Sequence, residues 1–134
     1  MGADSSIHRL VRAARRAARG AYAPYSEFRV GAAILDVEGR VFAGANIENA
    51  AYPLGICAER TALQLWISER GAMIEAVVVY SDTPAPTPPC GLCREALRRW
   101  AGSARLYLAY RDGTAGPSRP AEWLTGEIGD REGS

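Results

Sequence analysis

The sequence predicts an α/β domain: a mixed five-stranded sheet covered by helices on both faces, giving a three-layer α/β/α sandwich. Three observations carry this. Apolar strand-like runs alternate with amphipathic helix-like stretches, the pattern of a sheet packed between helices. Two of the runs, Arg29–Leu35 and Ile74–Tyr80, are nearly continuously apolar, as strands buried on both faces are. Turn signals at Glu38-Gly39 and Asp112-Gly113 join neighbouring runs as hairpins, so antiparallel pairs must stand beside parallel ones.

Each element follows from its own residues. Residues 5–20 place Ile7, Leu10, Val11, Ala14, Ala18 and Ala21 on one helical face and Arg9, Arg12, Arg16 and Arg19 on another. Ser5 or Ser6 is the expected N-cap and Gly20 the stop. Arg29–Leu35 and Arg40–Ala45 form the first hairpin. Residues 46–56 read as a loop with Asn46, Glu48, Asn49, Pro53 and Gly55. Ala58–Arg70 is the second helix, with Gly71 as its stop. Ile74–Tyr80 is a buried strand, and the prolines of Thr83–Pro89 make a stiff loop. Gly91–Ala101 is a helix, Arg105–Tyr110 a strand, and Asp112-Gly113 turns the chain into a short edge strand. Pro120–Leu124 suits one helical turn, and 126–134 reads as a polar, frayed tail. Residues 1–134 contain no repeat and no boundary, so a single domain is expected.

Composition narrows the function classes. With 134 residues, 16 Lys+Arg, 15 Asp+Glu and a net charge of +1, bulk electrostatics gives no reason to expect a nucleic-acid or membrane partner. The basic side chains of the first helix, His8 included, read as a solvated face. No apolar run approaches the ~18 residues of a membrane span. Residues 1–23 lack the apolar core of a secretory signal; their arginines give a faint likeness to a transit peptide, but the helix reads as integral to the domain, and a cytoplasmic location is expected. Three cysteines are an odd number for a secreted disulfide framework. A chain this short also gains burial by associating with copies of itself.

The chemistry concentrates in Cys57-Ala-Glu59-Arg60 and Pro88-Pro-Cys90-Gly-Leu-Cys93-Arg94. Each lies where a loop enters a helix, so backbone N–H groups and the positive helix end favour thiolates. The three-residue spacing of Cys90 and Cys93 lets both sulfurs grip one metal, and Cys57 can join them if the two helices lie side by side. Three thiolates leave one zinc position for water, the mark of a catalytic site, and that water ionises near neutral pH. Glu59 stands in the first helical turn, two residues from Cys57, and suits a base beside that water better than a fourth ligand. Three thiolates outweigh the charge of zinc, and Arg60 and Arg94 are placed to offset them by hydrogen bonds to sulfur; ordinary surface ion pairs are their alternative. Cys90-Gly-Leu-Cys93 alone also fits a thiol–disulfide oxidoreductase, and all three cysteines together also fit a structural zinc site lacking a visible fourth ligand.

These motifs resemble the zinc-dependent cytidine deaminases, in their short-chain, three-cysteine form. The resemblance extends to Tyr22-Ala-Pro-Tyr-Ser-Glu-Phe28-Arg-Val-Gly-Ala-Ala33 and to Asn46-Ile-Glu48-Asn49 ahead of Tyr52-Pro-Leu-Gly-Ile-Cys57, covering residues 7 to 113. It implies an α/β/α sandwich holding one Zn²⁺ per subunit on Cys57, Cys90 and Cys93. A zinc-bound hydroxide would convert cytidine or 2′-deoxycytidine to the uridine product and ammonia, with Glu59 as proton shuttle. Phe28 would pack on the pyrimidine, Asn46 and Glu48 would bind the ribose 3′-hydroxyl, and the Ala58 backbone would contact the base. The resemblance also implies a homotetramer with shared active sites and a place in pyrimidine salvage. The chain departs from the family near its end, where Thr125 and Ile128 stand for a proline and an aromatic residue. Ile128 would be a neighbour's contribution to the pocket, and a different aminated pyrimidine nucleoside is the alternative substrate.

Overall fold

The computed structural model describes residues 3–24, 29–46, 57–86 and 91–119. In chain order they form α1 (Ala3–Arg19), β1 (Val30–Asp36), β2 (Val41–Ala45), α2 (Ala58–Ser68), β3 (Ile74–Ser81), α3 (Gly91–Ala101), β4 (Arg105–Tyr110) and β5 (Gly113–Ser118). The five strands make one sheet in the order β2-β1-β3-β4-β5. β1 runs antiparallel to β2 and to β3, β3 parallel to β4, and β4 antiparallel to β5, so the sheet is mixed as expected.

Alternation along the strands sorts the core into two layers. Ala33, Leu35, Ala76, Val78, Tyr80 and Ala109 face α1, which contributes Leu10, Ala14 and Ala18. Ala32, Ile34, Val77, Val79 and Leu106 face the other way, against Ala62 and Leu63 of α2 and Leu97 of α3. Leu10 and Leu97 are each fully buried, anchoring their layers with about 1.5–3 kcal/mol of apolar burial apiece. Glycine sets the approach on α1's side. A Cβ on Gly31 would collide with the Ala14 carbonyl and come within 2.7 Å of the Ala18 nitrogen.

Two expectations about helix ends need correction. α1 begins at Ala3, so Ser5 and Ser6 lie inside the helix and do not cap it; Ala3 has the highest helix propensity and gives no reason to start later. α2 ends at Ser68, and the left-handed residue that closes it is Arg70 (φ 57°), not Gly71. Its end is a Schellman closure: Gly71 N–H donates to Trp66 O (2.8 Å) and Arg70 N–H to Ile67 O (3.1 Å). The turn expected at Pro120–Leu124 and the tail 126–134 lie outside the described residues. No helix among the described residues is long and apolar enough to cross a membrane.

Candidate active site

Strand directions bring the starts of α2 and α3 to one end of the sheet. β2 and β3 point the same way, since each is antiparallel to β1, and β4 follows β3 in parallel. α2 and α3 therefore both start beyond the same edge and run back along the same sheet face. Their later turns touch through Trp66 and Trp100, edge to face at 5.9 Å between ring centroids. Helices side by side and codirectional have their N-termini together, which is the condition that the cysteine spacing required.

Cys57 is the N-cap of α2, half-buried and extended (φ −75°, ψ 152°). Its carbonyl accepts two hydrogen bonds from Thr61, from N–H at 3.0 Å and from Oγ1 at 3.1 Å. That double attachment fixes the backbone on which the sulfur is carried. The first turn of α2 is pressed against β2: a Cβ on Gly44 would lie 2.7 Å from Thr61 Cγ2 and 2.8 Å from the Ala62 nitrogen. Ala58 is fully buried beneath it, and Glu59 is only 5% exposed. A carboxylate so enclosed at a helix N-terminus is costly for stability alone, and the positive helix end offsets part of that cost. Arg60 lines a cleft of about 370 Å³ between α2 and α3 with Glu95, Arg99 and Trp100, while Nη1 of Arg94 is buried.

On the neighbouring strand ends, Asn46 follows β2 and is bonded to β1 on both sides. Its N–H donates to Val30 O (3.2 Å), and its Oδ1 accepts from Val30 N–H (3.0 Å). The side-chain bond fixes the amide with its oxygen on the strand and its nitrogen turned from it. Beside Val30, at the end of β3, Ser81 is buried, and Thr83 Oγ1 bonds both Ser81 Oγ (3.2 Å) and Ala85 O (2.7 Å). These bonds fasten the start of the loop that leads to Cys90.

Phe28, Glu48, Cys90, Thr125 and Ile128 lie outside the described residues, as does the side chain of Cys93. Among the described residues no three His, Cys, Asp or Glu side chains converge on a metal position. What is described suits zinc by its chemistry: a thiol at a helix N-terminus, an enclosed acid two residues on, and a second helix starting at the same sheet edge one residue after Cys90. Sequence reasoning passed over Gly44 and Thr61, although a glycine inside a strand and a threonine four residues after an N-cap are legible signals of close approach and back-bonding.

The model of the cytidine and deoxycytidylate deaminase zinc-binding region matches residues 4–109. The chain belongs to this family. It is similar to a cytidine deaminase from Halalkalibacterium halodurans, with 44% identity over 118 residues, 87% of this chain and 89% of the relative. A crystal structure of cytidine deaminase from Burkholderia pseudomallei superposes with a TM-score of 0.81 at 37% identity, covering 89% of this chain and 96% of the other. The cytidine deaminase structure from Mycobacterium tuberculosis gives 0.75 at 36%, covering 92% and 97%. The family is zinc-dependent and acts by hydrolysis, so this chain is a zinc enzyme of the cytidine deaminase family, and the expected α/β fold is the observed one.

Proposed function

We propose that this protein hydrolyses cytidine and 2′-deoxycytidine to uridine or 2′-deoxyuridine and ammonia, in a reducing cytoplasm and in the service of pyrimidine salvage. The single observation that supports the assignment to residues is the enclosed Glu59 two residues after Cys57, at the start of α2. Cys57, Cys90 and Cys93 would hold zinc, which when bound supplies a water of lowered pKa as the nucleophile. Glu59 accepts a proton as water adds to C4, delivers a proton to ring N3, and passes another to the departing ammonia. Burial keeps that carboxylate from competing water. Asn46, held by Val30, presents its amide to the ribose 3′-hydroxyl together with Glu48, and Phe28 packs on the ring. The Ala58 backbone contacts the base, while Arg60 and Arg94 offset thiolate charge.

The same reading takes residues 1–134 as one deaminase domain acting as a homotetramer, with Ile128 lent to a neighbour's pocket. The exposed Leu65, Ile67 and Trp100 on the α2–α3 side support association, since apolar surface of that kind is costly in water. The test is incubation of zinc-loaded protein with a panel of aminated pyrimidine nucleosides, measuring ammonia and the product nucleoside. Cytidine should be among the best substrates. Release of ammonia only from a ring-substituted or antibiotic nucleoside would replace the substrate assignment, and zinc-free protein carrying a reducible Cys90–Cys93 disulfide would replace the chemistry.

A further inference from the structure

On the opposite face of the sheet, a cavity of about 270 Å³ opens beside α1, lined by Arg15, Ala18, Arg19, Arg29, Tyr80 and Asp82. Its charge among the described residues is unbalanced. Among the described residues Arg40, Arg98, Arg105 and Arg111 each pair with a carboxylate, whereas Arg15, Arg19 and Arg29 do not. The one acid among the described lining residues, Asp82, is already held by Arg111 Nε at 2.9 Å. Neutral groups steady the guanidinium groups without cancelling their charge. Arg15 lies over the Tyr80 ring, 5.0 Å from its centroid, and donates to Tyr110 O at 3.3 Å, and Arg29 Nη1 donates to Arg19 O at 3.4 Å. Like charges held together around a concave surface favour an anion, and planar guanidinium forks match the tetrahedral oxygens of phosphate better than a single halide. The volume falls below the ~300–1,000 Å³ of pockets that enclose drug-sized ligands, so the cavity suits a phosphate group and not a whole nucleotide.

We propose that this cavity binds a phosphate group, either as inorganic phosphate or as the end of a small phosphomonoester, at a site separate from the deaminase centre. Isothermal titration of the zinc-loaded full-length protein with inorganic phosphate, glycerol 3-phosphate and uridine 5′-phosphate tests it. Because heat and not turnover is read, failure here leaves the deaminase assignment standing. Saturable binding at one site per chain is expected, weakened at least ~10-fold in Arg19→Gln/Arg29→Gln, since each charged hydrogen bond lost is worth about a decade. Arg12→Gln/Arg16→Gln, on the exposed face of α1, should bind as the parent does. Tighter binding of glycerol 3-phosphate than of phosphate, weakened in Arg19→Gln/Arg29→Gln, would support the site and identify a small ester as its ligand; binding of uridine 5′-phosphate that the double variant leaves unchanged would place it at the deaminase centre and count against the cavity. Arg19→Gln alone removes no side-chain hydrogen bond made among the described residues and keeps the test open if the double variant fails to fold. No saturable heat, an equal response to chloride at matched ionic strength, or equal weakening in both double variants would overturn the proposal. So would preferential binding of an oligonucleotide that depends on Arg12 and Arg16.

Discussion

Gly44 on β2 and Thr61 on α2 are in such close register that a single added carbon on Gly44 would lie 2.7 Å from Thr61 Cγ2. The same carbon would sit 2.8 Å from the Ala62 nitrogen, and backbone cannot step aside as a side chain can. Replacing glycine by alanine in a strand normally gains about 0.5–1 kcal/mol of chain entropy. Here overpacking costs about 1–3 kcal/mol and decides the sign. Gly44→Ala should therefore lower the melting temperature and reduce zinc retention, because the displaced turn carries Cys57. An unchanged melting temperature with full zinc would mean that α2 is not seated by this contact.

Glu59→Gln keeps the shape of the side chain and removes its ability to carry protons. The expected result is full zinc content, measured by elemental analysis, with turnover reduced by at least ~10²–10⁴-fold. Loss of zinc in this variant would make Glu59 a ligand and contradict its assigned role. Cys57→Ala, by contrast, should lose zinc and melt earlier, since metal binding is coupled to folding.

Much of this was legible in the sequence because it rests on local rules. The alternation that separates Ala32 and Ile34 from Ala33 and Leu35 is a strand period, and it assigns two helical layers without any long-range knowledge. The two helix starts were marked by loops ending at Cys57 and Cys90. Harder to read were features set by tertiary contact. Nothing near Asp36 announces that it will be fully buried, and nothing local makes Arg70 rather than the adjacent Gly71 take the left-handed conformation that ends α2. That choice follows from Gly71 N–H reaching Trp66 O, a closure that requires the residue before it to turn.

Asn46 binds Val30 N–H through its amide oxygen, and under the proposed function its amide nitrogen serves the ribose; substitution can separate the two. Asn46→Asp keeps an oxygen for Val30 N–H, now bonded at 3.0 Å, but loses the NH₂ group. Asn46→Ala loses both. The alanine variant should be destabilised by about 0.5–1.5 kcal/mol and the aspartate variant by less, while both raise the KM for cytidine. A KM unchanged in Asn46→Asp would remove Asn46 from the ribose site and leave it as a strand fastener only.

The last prediction concerns pH and a residue at the far end of the sheet. Asp36, fully buried, accepts bonds to Oδ1 from the N–H groups of Glu38 (3.0 Å) and Arg40 (2.9 Å), and to Oδ2 from Arg40 Nε and Ala72 N–H (both 3.0 Å). It thereby ties the β1–β2 turn to the chain entering β3. Burial opposes its ionisation, but the bonds from Ala72, Arg40 and Glu38 and the Arg40 charge outweigh that and hold the carboxyl below its ordinary value of 3.8. A lowered folded-state pKa means that the unfolded chain takes up the proton first. The contribution is therefore fully present above the unfolded value and is lost as pH falls through the folded one. Asp36→Asn places an NH₂ donor against donors, so stability near neutral pH should fall by roughly 1–3 kcal/mol. Chemical denaturation of both proteins between pH 7 and the acid limit of folding checks the linkage. The parent's advantage should hold down to about the ordinary aspartate range and then shrink as Asp36 protonates. A difference that stayed constant throughout that acid range would show that the lost stability comes from packing and not from the charge on Asp36.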